Sequence, residues 1–470
     1  MAALTLADVM RGTEGALVAG RLEGRVSGVS IDSRTCAPGA AFFAIRGHHQ
    51  DGHAFIGDAL QRGAAALVVT HLPADLALPA AVAVILVEDT TQALQRLAAF
   101  HRRRHGLPVV GITGSNGKTT TKELAAAVLA QRFRVLKAAG SLNNQWGLPL
   151  TLLQLEADHQ VAVVELGMNA FGEIAALAQI AQPTIGVLTT IAPAHLEGLG
   201  SIEGVQKAKA ELVHAIPPEG VVVLNADDPL VLALAREARA PVLTYGQAEQ
   251  ADVRLSAVAP APGGLAFTVT AGGRSAAIRL PLLGRHNAWN AAAAVAVGTA
   301  LGLPPDAAAE GLARVAPVKG RLLTHEVAGV VVLDDTYNAN PVSLRGALDT
   351  LRELAPHSRA WVLLGDMLEL GPASEAAHAE AGRWVAALPA AGLVTVGPAM
   401  RAAAAAARAA GCPDVAAFDA PEAAVAYLMA RVARGDRVLV KGSRGMRMER
   451  AVDALLAGLR GGGPEPRRSC

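Results

Sequence analysis

Apolar and polar positions change rhythm three times along the chain. Over residues 1 to about 90, short apolar runs at 26–31, 41–45 and 65–69 accompany one helical stretch near 54–62, which predicts a small α/β unit. From about residue 91, solid apolar runs at 109–113, 161–165, 185–191, 221–225 and 242–245 alternate with helical segments. Strands apolar at every position, with helices between them, belong to a parallel sheet covered on both faces. Residues 252–281 switch to short alternating strands with turns at Gly263-Gly264 and Gly272-Gly273, an antiparallel insert, before helices at 287–302 and 305–314. From about Pro317, strands at 330–334, 360–364, 393–396, 415–418 and 437–440 with helices between them predict a second doubly wound sheet. Its strand ends read Asp334-Asp335, Gly365-Asp366, Gly397 and Lys441-Gly442-Ser443, the edge at which ligands collect in such sheets.

The fold class is therefore α/β in three domains, over 1–90, 91–316 and 317–460, with His101 to Gly106 as a linker and 461–470 as a disordered tail. The chain has 470 residues, 52% hydrophobic and 18% charged, enough apolar material for several cores and too little charge for disorder. Lys+Arg 42 against Asp+Glu 41 removes the basic surface of a nucleic-acid binder, so no nucleic-acid partner is expected. Cys36, Cys412 and Cys470 form no CxxC and no even framework, which fits a reducing cytoplasm. The first residues lack the apolar core of an export signal. The uncharged run 174–194 carries Gln179, Gln182, Pro183 and Thr184, so it reads as helix end, turn and buried strand, with no membrane span.

The most specific local signal is Thr113-Gly114-Ser115-Asn116-Gly117-Lys118-Thr119, between a strand and the helix at 119–129. A glycine turn running into a helix N-terminus supplies converging N–H groups and a favourable dipole for phosphate. Lys118 then reaches the β- and γ-phosphates, and the Thr119 hydroxyl is a ligand for Mg²⁺. The strict Walker spacing fails at one place, because its first glycine falls on Ile112. Glu165 ends a strand on the same rim, placed to hold Mg²⁺, and His195 follows the strand at 185–191.

At this loop the sequence resembles the Mur ligase family, whose members carry T-G-x-N-G-K-T and join an amino acid or peptide to a UDP-linked carboxylate using ATP. Further matches are Asp32-Ser33-Arg34-Thr35, Asp51-Gly52-His53, Ser141-Leu142-Asn143-Asn144, Glu165-Leu166-Gly167-Met168-Asn169, Ala192 to Leu196, Ala208-Lys209-Ala210-Glu211 and Gly284 to Asn290. The resemblance implies that the units are a UDP-substrate domain, a P-loop-type ATPase domain and a Rossmann-like ligase domain. Asp334 to Pro341 and Leu364 to Gly371 are similar to the family members that add D-alanyl-D-alanine to a UDP-MurNAc-tripeptide. Those two substrates, ATP and two Mg²⁺ ions are the implied partners, and a monomer is expected.

The family pattern implies four catalytic residues, Lys118, Glu165, His195 and Lys209, the last as a carbamylated lysine holding Mg²⁺ with Thr119, Glu165 and His195. Carbamylation needs a lysine whose neutral amine is populated by desolvation or neighbouring positive charge. Asn290, Arg321 and Asp335 would contact adenosine. Ser33, Arg34 and Thr35 would take the uridine-diphosphate end, and Asn143 and Asn144 the sugar-peptide. Asp366 and Lys441, among Glu369, His378, Ser443 and Arg444, are candidates for the dipeptide, acids for its amine and bases for its carboxylate. Two alternatives remain open: a relative that adds diaminopimelate or lysine, whose Asp-Asn-Pro-Arg-like motif is absent, and a P-loop nucleotide switch.

Overall fold

The computed structural model describes residues 4–47, 50–73, 76–354 and 358–461; most of the expected tail, from 462, lies outside the described residues. The first sheet runs, in spatial order, Ala16–Ala19, Ala83–Leu86, Ala66–Val69, Ala41–Phe43 and Val29–Ser30, parallel except at the first pair. The run expected at 26–31 contracts to two strand residues. The expected helix near 54–62 forms in two pieces, a 3-10 turn Gly52–Phe55 started by the Asp51 carboxylate and a helix Ile56–Gln61.

The central sheet has nine strands. Val242–Gly246, Val221–Asn225, Ile185–Leu188, Val109–Thr113, Val161–Glu165 and Val135–Lys137 lie side by side, all parallel. The antiparallel insert, Val253–Ala261, Gly264–Ala271 and Arg274–Leu280, extends this sheet at one edge. Its second hairpin turns on Gly272 and Gly273, at φ +56° and +75°, the left-handed pair that a two-residue hairpin of this hand requires. From Val109–Thr113 the chain builds strands to one side and then crosses to the other. The crevice at that switch point opens above its carboxyl end, where the phosphate loop begins.

The third sheet runs Leu323–Val327, Val330–Asp335, Arg437–Lys441, Ala360–Gly365, Ala390–Val396 and Val415–Phe418, with only the first pair antiparallel. The edge strand Leu323–Val327 is not among the expected runs, because it alternates only between half-buried and exposed positions.

The stretch from His101 to Gly106 is not a loose tether. Helix Thr90–Arg103 runs into it as far as Arg103, started by the Asp89 carboxylate, which accepts from Gln92 N at 2.9 Å. Arg102 is buried and donates to the carbonyls of Ala181, His105, Leu107 and Gln182, while His101 Nε2 meets Leu155 O at 3.0 Å. This helix packs on Leu6–Thr13 of the first unit and on Gly147–Leu152 and Glu173–Ala181 of the second. One apolar core, including Val9, Ile85, Leu94, Leu97, Leu148 and Leu177, therefore crosses from the first sheet to the second. Among the described residues no helix is long and apolar enough to cross a membrane.

Candidate active site

Strand Val109–Thr113, buried throughout, delivers the chain to a turn at Gly114 and Gly117, and helix Lys118–Leu129 starts immediately after. Both glycines are obligatory. Gly114 sits at φ +148° with a virtual Cβ 1.9 Å from Thr189 Oγ1, and Gly117 at φ +86° with one 2.4 Å from Asn290 Oδ1. The loop is pinned from behind. Ser115 N donates to Thr190 O at 2.7 Å, Ser115 Oγ to Ala192 O at 2.9 Å, and Asn116 N to Thr190 Oγ1 at 3.3 Å. Since those amides are engaged, the anion cradle narrows to the first-turn amides of the helix, led by Lys118 and Thr119. Thr113 stands behind the cradle, its hydroxyl on Leu166 O.

Lys118 Nζ folds back onto Gly114 O at 2.7 Å. Burial lowers its pKa below the usual lysine value, with Glu165 opposing the shift and Arg321 adding to it. A phosphate entering here would replace that carbonyl with a negative partner and favour the charged ammonium. Thr119 Oγ1 donates to Glu165 Oε1 at 3.2 Å and accepts from Arg321 Nη2 at 3.0 Å. Glu165 is fully buried and, among the described residues, its Oε2 has no hydrogen-bond partner. A carboxylate oxygen of that kind beside a threonine hydroxyl is a hard-oxygen donor set suited to Mg²⁺. Lys209, on helix Ile202–Ala215, is buried and forms no hydrogen bond or ion pair among the described residues. Burial, and then repulsion from Lys118, hold its pKa well below the usual lysine value. His195, in the left-handed region at φ +54°, turns its Nδ1 to Glu369 Oε2 of the third unit at 2.7 Å. That close contact with the imidazole holds the Glu369 carboxyl below the usual carboxylate range.

The third unit closes over this rim. Arg321 lies 4.3 Å from the centroid of the Tyr337 ring, and the Tyr337 hydroxyl donates to Ser141. Lys441 Nζ donates to Asp335 Oδ2 at 2.6 Å and to Asn338 O at 2.9 Å. Asn290 donates to Asn287 Oδ1 and accepts from Thr121 Oγ1. A cavity of roughly 1390 Å³ is lined by Ser115 to Thr119, Asn143, Asn144, Glu165, His195, Asn290, Arg321, Asp335 and Lys441. That exceeds the roughly 300–1,000 Å³ of a pocket for one small ligand, so more than one reactant fits.

Other expected residues lie apart from it. Ser33, Arg34 and Thr35 form a 3-10 turn on the first unit and do not line the cavity; the Arg34 guanidinium clasps Asp32, at 2.9 and 2.7 Å. Asp366 does not line it either: its Oδ1 accepts from Met400 N at 2.8 Å, at the start of helix Met400–Ala409. His378 is buried between Met367 N and Ser374 O, and Ser443 bridges Leu368 N and Ala339 O. Asn144 lines the cavity while its Oδ1 accepts from Trp146 N and Gly147 N to start helix Gly147–Leu152. Spacing had not singled out Asn340, Tyr337 or the Trp289–Asp227 hydrogen bond of 2.6 Å, all at the same cavity. The Asn340-Pro341 step, a helix start at a strand-end edge, carried a readable signal.

The geometry defines a nucleotide-dependent enzyme with its reactants gathered between three α/β units. Family models match in the same order: Mur ligase family, catalytic domain, over 25–102; Mur ligase middle domain over 112–298; and Mur ligase, glutamate ligase domain, over 320–444. The chain belongs to the Mur ligase family. It is 39% identical over 440 residues to the UDP-N-acetylmuramoyl-tripeptide--D-alanyl-D-alanine ligase of Synechocystis sp., covering 92% of each chain. It is 38% identical to the enzyme of that name from Escherichia coli, over 93% of this chain and 96% of the other. MurF from Acinetobacter baumannii superposes with a TM-score of 0.87 at 33% identity, covering 97% of this chain and 99% of that one. MurF ligase from Thermotoga maritima in complex with ADP gives 0.80 at 30% identity, covering 92% and 98%.

Proposed function

We infer that this chain is an ATP-dependent ligase that adds D-alanyl-D-alanine to a UDP-N-acetylmuramoyl-tripeptide, in peptidoglycan precursor synthesis. The observation that carries this is convergence: one cavity joins the phosphate loop and Glu165 of the central unit to Arg321, Asp335 and Lys441 of the third. The triphosphate would rest on the first-turn amides and Lys118, with Asn290, Arg321 and Asp335 toward adenosine. Thr119, Glu165, His195 and a carbamylated Lys209 would hold two Mg²⁺ ions, which neutralise charge on the transferring phosphoryl group when bound. The partnerless Glu165 oxygen and the buried Lys209 side chain, which makes no hydrogen bond among the described residues, support that assignment.

The tripeptide's terminal carboxylate oxygen attacks the γ-phosphorus, the bond to the β-bridging oxygen breaks, and ADP leaves an acyl phosphate behind. The dipeptide amine then attacks that carbonyl, phosphate departs, and an amide remains. Lys118 orients the γ-phosphate through the first step, and closure by the third unit excludes the water that would hydrolyse the acyl phosphate. Ser33, Arg34 and Thr35 would take the uridine-diphosphate end, with Arg34 exchanging Asp32 for phosphate, and Asn143 and Asn144 the sugar-peptide. Lys441 suits the dipeptide carboxylate, and Asp366 would serve its amine only by giving up Met400 N. The three domains would span 1–90, 91–316 and 317–460, and the enzyme would work as a monomer in the cytoplasm.

Phosphate release by the purified chain tests this. Turnover is expected to require ATP, UDP-MurNAc-tripeptide and D-alanyl-D-alanine together. Release that needs a free diaminopimelate or lysine instead of the dipeptide, or that proceeds with ATP alone, would overturn the reading.

A further inference from the structure

Segment 138–146, between strand Val135–Lys137 and helix Gly147–Leu152, is irregular backbone on which the bridging helix, the third unit and the turn after Glu165 converge. Thr91 and Gln95 of the bridging helix reach it through Trp146 Nε1 at 3.1 Å and Gln145 O at 3.2 Å. Tyr337 of the third unit reaches it at Ser141. Gly167 N donates to Asn143 O at 2.9 Å, from the turn after Glu165. Asn143 and Asn144 of this segment line the cavity.

Lys122 holds the remaining end. It lies one helical turn after Thr119 and its side chain is fully buried. Its Nζ donates to Ala138 O at 2.6 Å and to Gly140 O, and it pairs with Glu123 Oε1 at 3.0 Å. An ammonium has three N–H groups, and here two go to carbonyls while the Glu123 carboxylate balances the charge. Its two carbonyl partners frame the entry to the segment, and no step of the ligase chemistry uses this lysine. A buried cation is retained against a large desolvation penalty only where its partners are well placed.

We propose that Lys122 is a positioning residue: by clamping Ala138 and Gly140 it fixes segment 138–146 to the phosphate helix, so that the tripeptide-binding side of the cavity is registered against the phosphate loop. This rests on the ligase reading above. Losing the clamp releases the segment without touching the amides, Lys118 or Glu165, so the effect falls on the UDP-substrate and not on the nucleotide.

The test compares the full chain with Lys122→Met, which keeps the stem, and Lys122→Gln, which keeps one donor. Binding of UDP-MurNAc-tripeptide and of ADP is measured by calorimetry, KM values by phosphate release, and amide exchange by mass spectrometry. Expected for Lys122→Met is a rise of about tenfold or more in Kd and KM for the UDP-substrate. ADP affinity should stay within about twofold, exchange should accelerate in 138–146 but not in 118–129, and Lys122→Gln should fall between the two. Unchanged UDP-substrate affinity, or an equal loss for ADP, overturns the proposal. If Lys122→Met does not fold, Lys122→Gln decides alone by the same two affinities. A wild-type chain that binds no UDP-MurNAc-tripeptide refutes the ligase reading instead.

Discussion

Asn116 of the phosphate loop and Asn340 of the third unit exchange side-chain hydrogen bonds, Asn340 Nδ2 to Asn116 Oδ1 at 2.9 Å and Asn116 Nδ2 to Asn340 Oδ1 at 3.4 Å. The pair ties the loop that would carry phosphate to the first residue before helix Pro341–Leu354, where Asn340 Oδ1 also accepts from Ser343 N at 2.9 Å. Closure is therefore read at the phosphate loop itself.

Asn340→Ser keeps a cap for Ser343 but is too short to reach Asn116. At about 1 kcal/mol net for each neutral hydrogen bond, kcat/KM should fall roughly tenfold to thirtyfold. Asn116→Ala should cost about as much, and the double variant no more than either alone, because both remove one interaction. Steady-state phosphate release on the four proteins measures the coupling; additive losses would mean that the two amides act separately.

Gly117 is expected to tolerate no side chain. A left-handed φ costs an alanine about 1–2 kcal/mol, and here its Cβ would also displace Asn290 Oδ1. Gly117→Ala should therefore weaken ADP binding at least about tenfold while leaving the melting temperature of the third unit unchanged. Gly117→Ala/Asn290→Ala should not restore the affinity, since the backbone strain remains and a group placed toward adenosine is lost as well. Calorimetric titration with ADP checks both.

The phosphate loop was legible because all it needs is local: a buried strand, two glycines with positive φ and a helix start within one short stretch. Helix Ile202–Ala215 and the Gly272-Gly273 hairpin were legible for the same reason. What spacing could not resolve is which polar group at a strand end faces the ligand and which serves the fold. Asp366 and Lys441 end neighbouring positions of one sheet edge, yet the first carboxylate turns to Met400 N and only the second side chain lines the cavity. Lys122 reads as one more polar residue of a helix, and only the return of the chain at 138–140 gives it its two carbonyl partners. The basic stretch from His101 reads as a linker for an equivalent reason, since the carbonyls that bury Arg102 lie up to eighty residues away.

Arg102 supplies a stability prediction. Among the described residues its guanidinium meets no carboxylate but donates to four carbonyls at the junction of the first two units. Arg102→Met would leave the buried carbonyls of Ala181 and Leu107 without those donors, a loss of about 3 kcal/mol. Because the two units share a core, the first unfolding transition should move to lower urea as one event rather than splitting. Turnover per folded molecule at low temperature should be near normal, as Arg102 does not line the cavity.

Lys209 makes a pH prediction whose sign follows from its burial. Burial and the charge of Lys118 lower its folded-state pKa well below 10.5, so between that lowered value and 10.5 the unfolded chain holds a proton that the fold does not. Stability supplied by this position therefore rises with pH across that window, and the penalty of the buried ammonium is complete below it. In CO₂-free buffer, Lys209→Met should melt above the wild type, by most at the acid end and by progressively less toward pH 10.5. Added bicarbonate should raise the wild-type melting temperature and leave Lys209→Met unmoved, since only a neutral amine can take up CO₂. A difference between the two proteins that is flat with pH would mean that this amine keeps an ordinary proton affinity in the fold, and carbamylation at Lys209 would lose its physical basis.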